Sequence, residues 1–244
     1  DVSRMLFFLE DNMIKRVKNY FSRGELVLYT SSVLLIILSY ALFGGSSVMT
    51  LVASLIGATS LLLNAKANPI GQFLTIVFSV FYGLISYSCA YYGEMITYLG
   101  MTAPMALFAL ISWIRHPYNG NHAEVTVNKL YKYEYVLIPL LTLAVTVLFY
   151  FILEYFNTAN IIPSTVSVAT SFAAVYLTFR RSKYYAIAYA MNDVVLVVLW
   201  ILATMQDIKY ISVIVCFVMF LANDLYGFIN WHRIEKKQNN AVHA

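Results

Sequence analysis

Charged side chains are scarce in this chain of 244 residues: 16 Lys plus Arg and 12 Asp plus Glu amount to 11% of the sequence. A soluble domain carries about a quarter. With 61% hydrophobic residues and a mean hydropathy of +0.71, that scarcity excludes a pair of soluble domains and points to one integral membrane domain. Cysteine is limited to Cys89 and Cys216, both in apolar runs, so neither a disulfide framework nor a thiolate metal site is supported. His116, His122, His232 and His243 all fall between or beyond the apolar runs, which leaves no intramembrane histidine for a proton relay. No Walker loop, H-E-x-x-H pair, G-x-S-x-G elbow or Arg-rich span occurs, so neither a cofactor nor a metal is expected. The formal surplus of +4 speaks to orientation in a bilayer rather than to nucleic-acid binding.

Eight apolar segments are there instead, each near the roughly 20 residues that a spanning helix needs. They run Glu25–Phe43, Ser47–Ala65, Ile70–Ala90, Met95–Ile114, Tyr135–Phe156, Ile161–Phe179, Tyr184–Met205 and Ile208–Trp231. Most connections are too short for anything but antiparallel neighbours. The exception, Arg115 to Glu134, is polar and carries the turn signal "YNGNH". The first apolar run is followed by no A-x-A-like site and reads as a span.

Positive-inside counting places both termini in the cytoplasm. That arrangement puts 15 Lys and Arg on the inner side and only Lys209 outside. Residues 1–24, with Phe7, Phe8, Ile14 and Tyr20 among basic residues, suit an amphipathic interfacial helix or a solvated tail.

An internal repeat follows from "ISWIR" at 111–115 and "INWHR" at 229–233, which are offset by 118 residues. The same offset places Tyr82 on Trp200 and Thr75 on Asp193. The division this predicts is an extra helix at 25–43, a three-helix repeat at 47–114, a loop and linker helix at 115–156, a second repeat at 161–231 and a tail at 232–244. A three-plus-one-plus-three order of parallel repeats is the architecture of the SWEET carriers.

Within "NPIGQFLTIVFSVFYGLISYS", Asn68, Gln72, Thr75, Ser79, Tyr82 and Ser86 recur at spacings of three and four, so one helical face is polar from end to end. Tyr189, Asn192, Asp193 and Trp200 cluster on span seven, and Asn223 and Tyr226 on span eight. Polar groups in hydrocarbon persist when they face a bundle interior or a water-filled cavity. Amides match hydroxyls and carboxamides, and aromatic faces match planar or cationic rings. These ten residues (Asn68, Gln72, Thr75, Tyr82, Tyr189, Asn192, Asp193, Trp200, Asn223 and Tyr226) form the candidate site for a small nucleoside-like solute.

Blander readings stand beside this one. Thr75, Ser79 and Ser86 suit close helix packing, Asn68 suits a helix cap, and Asp193 and Asp224 suit bonds that only fix the bundle. Glu94 and Tyr91 fall at the predicted outer interface, where simple solvation accounts for the acid.

The runs "GEMITYLGMTAPMALFALISWIRHP" and "YYAIAYAMNDVVLVVLWILATMQDIKYISVIVCFVMFLANDLYGFINW", with "NPIGQ" opening span three, resemble the bacterial nicotinamide riboside transporters of the PnuC type. The resemblance extends over residues 47–234. It implies a seven-helix SWEET-related core, a homotrimer in the bacterial inner membrane, and facilitated diffusion followed by trapping through a cytoplasmic kinase. Gln72, Asn192 and Trp200 match the family's pocket best by position. Asn68 stands where some members place an aromatic residue, and related members are thought to carry thiamine, riboflavin or deoxynucleosides. Two other classes are weaker. An intramembrane hydrolase using Asp193 and Asp224 gains no symmetric partner from the repeat, since Asp224 maps to Ala106. A sensor needs an effector domain, for which the 13 residues after Trp231 are too few.

Overall fold

The computed structural model describes residues 20–43, 47–88 and 91–242. Most of the expected amphipathic N-terminal segment and Cys89 lie outside them. Among the described residues eight helices are long and apolar enough to span a bilayer, and the protein is a multi-pass helical membrane protein. They are α1 (Arg23–Phe43), α2 (Val48–Ala65), α3 (Pro69–Ser88), α4 (Tyr92–Ile114), α5 (Glu134–Tyr155), α6 (Ile161–Phe179), α7 (Tyr185–Thr204) and α8 (Ile211–Val242). A 3₁₀ turn, Ile208–Tyr210, leads into α8.

The last helix does not stop at Trp231. Its 32 residues rise about 48 Å at 1.5 Å each, well beyond the roughly 30 Å of hydrocarbon. The polar stretch after Trp231 is therefore helix standing outside the bilayer. The "YNGNH" signal produces a small hairpin of β1 (Pro117–Tyr118) and β2 (Asn121–Val125), an addition to the all-helical expectation. Asn119 and Gly120 both take positive φ there, the backbone a tight hairpin turn requires. Gln238 of α8 receives Val127 N at 2.9 Å and donates to Glu124 and to Val125 O, tying the hairpin to the end of α8.

Six helices close a ring through the contacts α2–α3, α3–α4, α4–α6, α6–α7, α7–α8 and α8–α2. Helix α1 packs outside it on α2 and α8, and α5 packs on α6. Both outer helices bury little of their surface and turn Leu and Phe side chains outward, as lipid-facing helices must.

Helices α2 and α6 end in the same way. Ala67 and Arg181 adopt left-handed φ values of 55° and 54°. Ala67 N donates to Asn64 O and Asn68 N to Leu63 O; Arg181 N donates to Thr178 O and Ser182 N to Leu177 O. Each is a Schellman closure, which satisfies the last carbonyls of a helix. Non-glycine residues there cost about 1 kcal/mol or more each, so neighbouring contacts must offset the strain.

Those contacts are reciprocal across the ring. Trp113 of α4 donates Nε1–H to Thr178 O at 2.9 Å, and Trp231 of α8 donates Nε1–H to Asn64 O at 2.8 Å. Ser112 and Asn230, the residues before them, donate to Phe179 O and Ala65 O. The 118-residue offset thus reappears as two equivalent pairs of bonds exchanged between halves.

The basic residue at each closure is also held alike. Lys66 meets Glu25 in the first turn of α1 at 3.3 Å, and Arg180 meets Glu134 in the first turn of α5. Hydrogen bonding to Glu134 holds the Arg180 guanidinium even further toward its charged form.

Trp113→Phe and Trp231→Phe each remove one indole donor and keep most of the buried ring. Both should lower stability by about 1–2 kcal/mol and by similar amounts, measured as thermal unfolding of purified protein in detergent. A large loss in one with none in the other would show that the exchange is not energetically symmetric.

Candidate functional site

The ring encloses a cavity of about 40 Å³, which has room for a water or two and for nothing of nucleoside size. Asn64 of α2 and Thr75, Phe78 and Ser79 of α3 line one side. Tyr98 and Thr102 of α4 line a second, and Tyr189, Asn192 and Asp193 of α7 a third. Phe217, Phe220 and Asp224 of α8 close the wall.

The polar stripe on α3 does face inward. Gln72 is 1% exposed, and Ser79, Tyr82 and Ser86 are buried beside it. Gln72 donates Nε2–H to Asn64 Oδ1 at 2.8 Å, and Asn64 passes Nδ2–H to Thr75 Oγ1 at 3.1 Å. Gln72 Oε1 stays buried without a donor among the described residues. Gln72 therefore acts on the cavity through Asn64 and stands one residue back from the wall.

Gly71 makes this relay possible. A Cβ there would come within 2.3 Å of Asn64 Oδ1 and 2.6 Å of Asn64 N, so only glycine lets α2 and α3 approach so closely.

Asn192 is held by α6, where the hydroxyls of Thr170 and Ser171 donate to its Oδ1 at 2.8 and 3.0 Å. With its oxygen occupied, the amide nitrogen is the end available to Tyr98 and the cavity. Asp193 and Asp224 point at one another from α7 and α8, and Asp193 Oδ2 has no donor among the described residues.

A π-helical stretch, Tyr98–Thr102, brings Tyr98 and Thr102 to the wall together. Pro104 follows it and has no N–H to return, and Ala103 N reaches back to Tyr98 O in the wider register.

Aromatic layers shut the cavity at both ends. At the end bearing the two Schellman closures, Trp113 and Trp231 lie 5.4 Å apart and Tyr185 packs on Trp231 at 4.8 Å. At the far end Trp200 donates Nε1–H to Tyr82 OH at 2.8 Å, with Tyr91 and Tyr98 against that pair. Each plug is centred on two residues exactly one repeat apart in sequence.

Of the ten residues proposed from the sequence, Thr75, Tyr189, Asn192 and Asp193 line the cavity. Gln72 stands behind it, and Tyr82 and Trp200 close its far end. The other three point elsewhere. Asn68 caps α3 by accepting from Ile70 N at 3.0 Å and donates to Tyr20 OH at 2.9 Å. Asn223 donates to Ser32 Oγ of α1, and Tyr226 to Glu25 Oε1. The three therefore secure α1 and its approach.

Asp224, one residue along from Asn223, takes the wall position instead, because a one-residue step turns a helical side chain by about 100°. Sequence reasoning also passed over Asn64 and Tyr98. A lone amide within "LLLNA" and a proline two turns after a buried tyrosine were the available signals. Glu94 departs furthest from expectation: it is 1% exposed, buried in the first turn of α4 rather than solvated.

A wider groove of about 420 Å³ runs beside Lys129, Lys183 and Glu235 at the α8 extension. Its Lys183 and Glu235 satisfy each other at 2.7 Å, and it lies away from the buried polar groups.

A narrow chamber of aromatic faces and a few buried polar groups, set inside a ring of membrane helices with aromatic clusters toward both ends, suits a small-solute carrier. Residues 47–233 match the model of the nicotinamide mononucleotide transporter family, and the chain belongs to that family. It is similar to the nicotinamide riboside transporter PnuC of Neisseria mucosa, with 22% identity over 201 residues, covering 81% of this chain and 76% of that protein. Among solved structures, the vitamin B3 transporter PnuC shares the fold at a TM-score of 0.79, with 21% identity over 89% of this chain and 94% of the other.

Gly71→Ala should force α2 and α3 apart, costing about 1–3 kcal/mol of stability and breaking the Gln72–Asn64 relay. Thermal unfolding together with ligand titration checks both parts. An unperturbed variant would mean that the close approach is not required.

Proposed function

We propose that this protein carries nicotinamide riboside across the bacterial cytoplasmic membrane by facilitated diffusion, with both termini in the cytoplasm. The observation that carries this reading is the occluded chamber itself. Its amide and carboxyl groups are incompletely paired, and aromatic faces surround them. Such a wall suits a solute with ribose hydroxyls, a carboxamide and a planar ring. Family membership narrows the solute to a nicotinamide nucleoside or nucleotide, and the name of the Neisseria relative favours the nucleoside.

In this reading Asn192, Thr75, Tyr189 and Asp193 contact the solute, with Gln72 acting through Asn64. Tyr82 and Trp200 form the far lid. A chamber of 40 Å³ must widen several-fold to admit a nucleoside, so the two groups α2–α4 and α6–α8 rock along the α2–α8 and α4–α6 seams. Opening one plug while the other holds gives alternating access. The three-plus-one-plus-three kinship with SWEET carriers, a homotrimeric assembly, and trapping of the product by a cytoplasmic kinase complete the proposal. They rest on the sequence resemblance.

Gradient-driven transport is checked in proteoliposomes loaded with no kinase. Solute should equilibrate and stop. Accumulation above equilibrium under a proton or sodium gradient would refute facilitated diffusion. Binding is checked by calorimetry across nicotinamide riboside, thiamine, riboflavin and deoxynucleosides, with nicotinamide riboside expected to bind tightest. Asn192→Ala and Gln72→Ala should each weaken it by about 5- to 150-fold, the range for one lost buried hydrogen-bond partner. Ser86→Ala, remote from the chamber wall, should stay within about threefold. Parent-like binding by both amide variants, while folded, would move the site elsewhere.

A further inference from the structure

Among the described residues three glutamates are buried almost completely, and two of them are fully engaged. Glu25 accepts from Ser22 N, Lys66 and Tyr226, and Glu134 from Arg180, Tyr131 N and Tyr176. Glu94 is equally buried at 1% exposure, yet neither of its carboxyl oxygens receives a hydrogen bond among the described residues. The group beside it is a neutral hydroxyl, Ser167, which also reaches Asn192 Oδ1 at 3.4 Å.

A carboxyl that merely braced the bundle would be paired as the other two are. With no charged partner among the described residues, a carboxyl in this low-dielectric interior is stable only as the neutral acid or with a cation beside it.

The position of Glu94 says which cation it could meet. It lies one turn from Tyr98, a wall residue of the chamber, and acts electrostatically on both Tyr98 and Tyr82. Asp193 brings a second carboxyl oxygen without a donor to the same chamber. Among the described residues no Lys, Arg or His lines that chamber. Lys209, beyond the far end of α7, is paired with Asp207.

We propose that Glu94 is the charge-selecting residue of the carrier, holding a cationic aromatic ring against Tyr98 at the far end of the chamber. The proposal rests on the functional reading above and adds what distinguishes the solute from its uncharged relatives. A quaternary pyridinium nitrogen has no hydrogen to donate, so only charge and ring faces can recognise it. Glu94 supplies the charge and the tyrosines supply the faces. Its place in the first turn of α4 also lets the helix N-terminus support the carboxylate once the solute is bound.

The test compares nicotinamide riboside, a cation, with its 1,4-dihydro form, which keeps the ribose and carboxamide but is neutral. Calorimetry on the purified parent should show a preference of about tenfold or more for the cation. Glu94→Gln, which keeps the shape of the side chain, should lose about tenfold or more toward the cation and change less than about threefold toward the neutral form. Its retained binding of the neutral form shows that the fold is intact. Glu94→Asp, which keeps the charge, should keep part of the preference.

Equal binding of both forms by the parent overturns the proposal without any variant. So does equal weakening of both, or of neither, in Glu94→Gln. If the parent binds neither form, the functional reading fails and this proposal fails with it.

Discussion

Two tryptophan–carbonyl bonds govern this architecture. A helix that ends inside a membrane protein leaves carbonyls that lipid cannot satisfy. Here Asn64 and Thr178 each close their own helix and then receive an indole N–H from the opposite half of the ring. The left-handed Ala67 and Arg181, the tight α2–α3 and α6–α7 turns, and the approach of α4 and α8 all depend on that exchange. It also places Trp113 and Trp231 side by side, so the bond that ends the helices is the one that closes the chamber.

The two plugs are built differently. At the Schellman end, four side chains donate to backbone carbonyls, and the hairpin and the α8 extension are bonded to one another beside them. At the far end a bond between side chains, Trp200 to Tyr82, joins the halves within a cluster of rings. Side chains change rotamer without disturbing a helix, whereas backbone carbonyls move only with the helix that carries them. The far junction thus rests on a pair of side chains, and the other on backbone groups that move only with their helices.

Buried polar groups in this protein serve two ends, fastening the bundle or facing the chamber. Glu25, Glu134, Asn68, Asn223 and Tyr226 have partners and fasten α1 and α5 to the ring. Gln72, Asp193, Thr102 and Glu94 retain unpaired atoms and collect around the chamber or just beyond it. Sequence patterning located nearly all the polar residues, because a polar group in hydrocarbon always has an interior reason. It did not say which reason. Asn223 and Asp224 show why: they are adjacent, equally polar and equally buried, yet one bonds Ser32 and the other faces the chamber.

The sequence by itself determined the spanning helices, the inward face of α3, the hairpin turn and the 118-residue offset. These are set by hydrophobic run length, a periodicity of 3.6 and local turn chemistry, all of which act over a few neighbouring residues. Only the tertiary structure decided that Tyr82 bonds Trp200, that Trp113 meets Trp231, that Gln72 reaches the chamber through Asn64, and that Glu94 is buried with no charged partner among the described residues. Those facts depend on how helices far apart in the chain are rotated and spaced against one another. A shift of one residue in register exchanges a wall residue for a packing residue, and no local pattern carries that information.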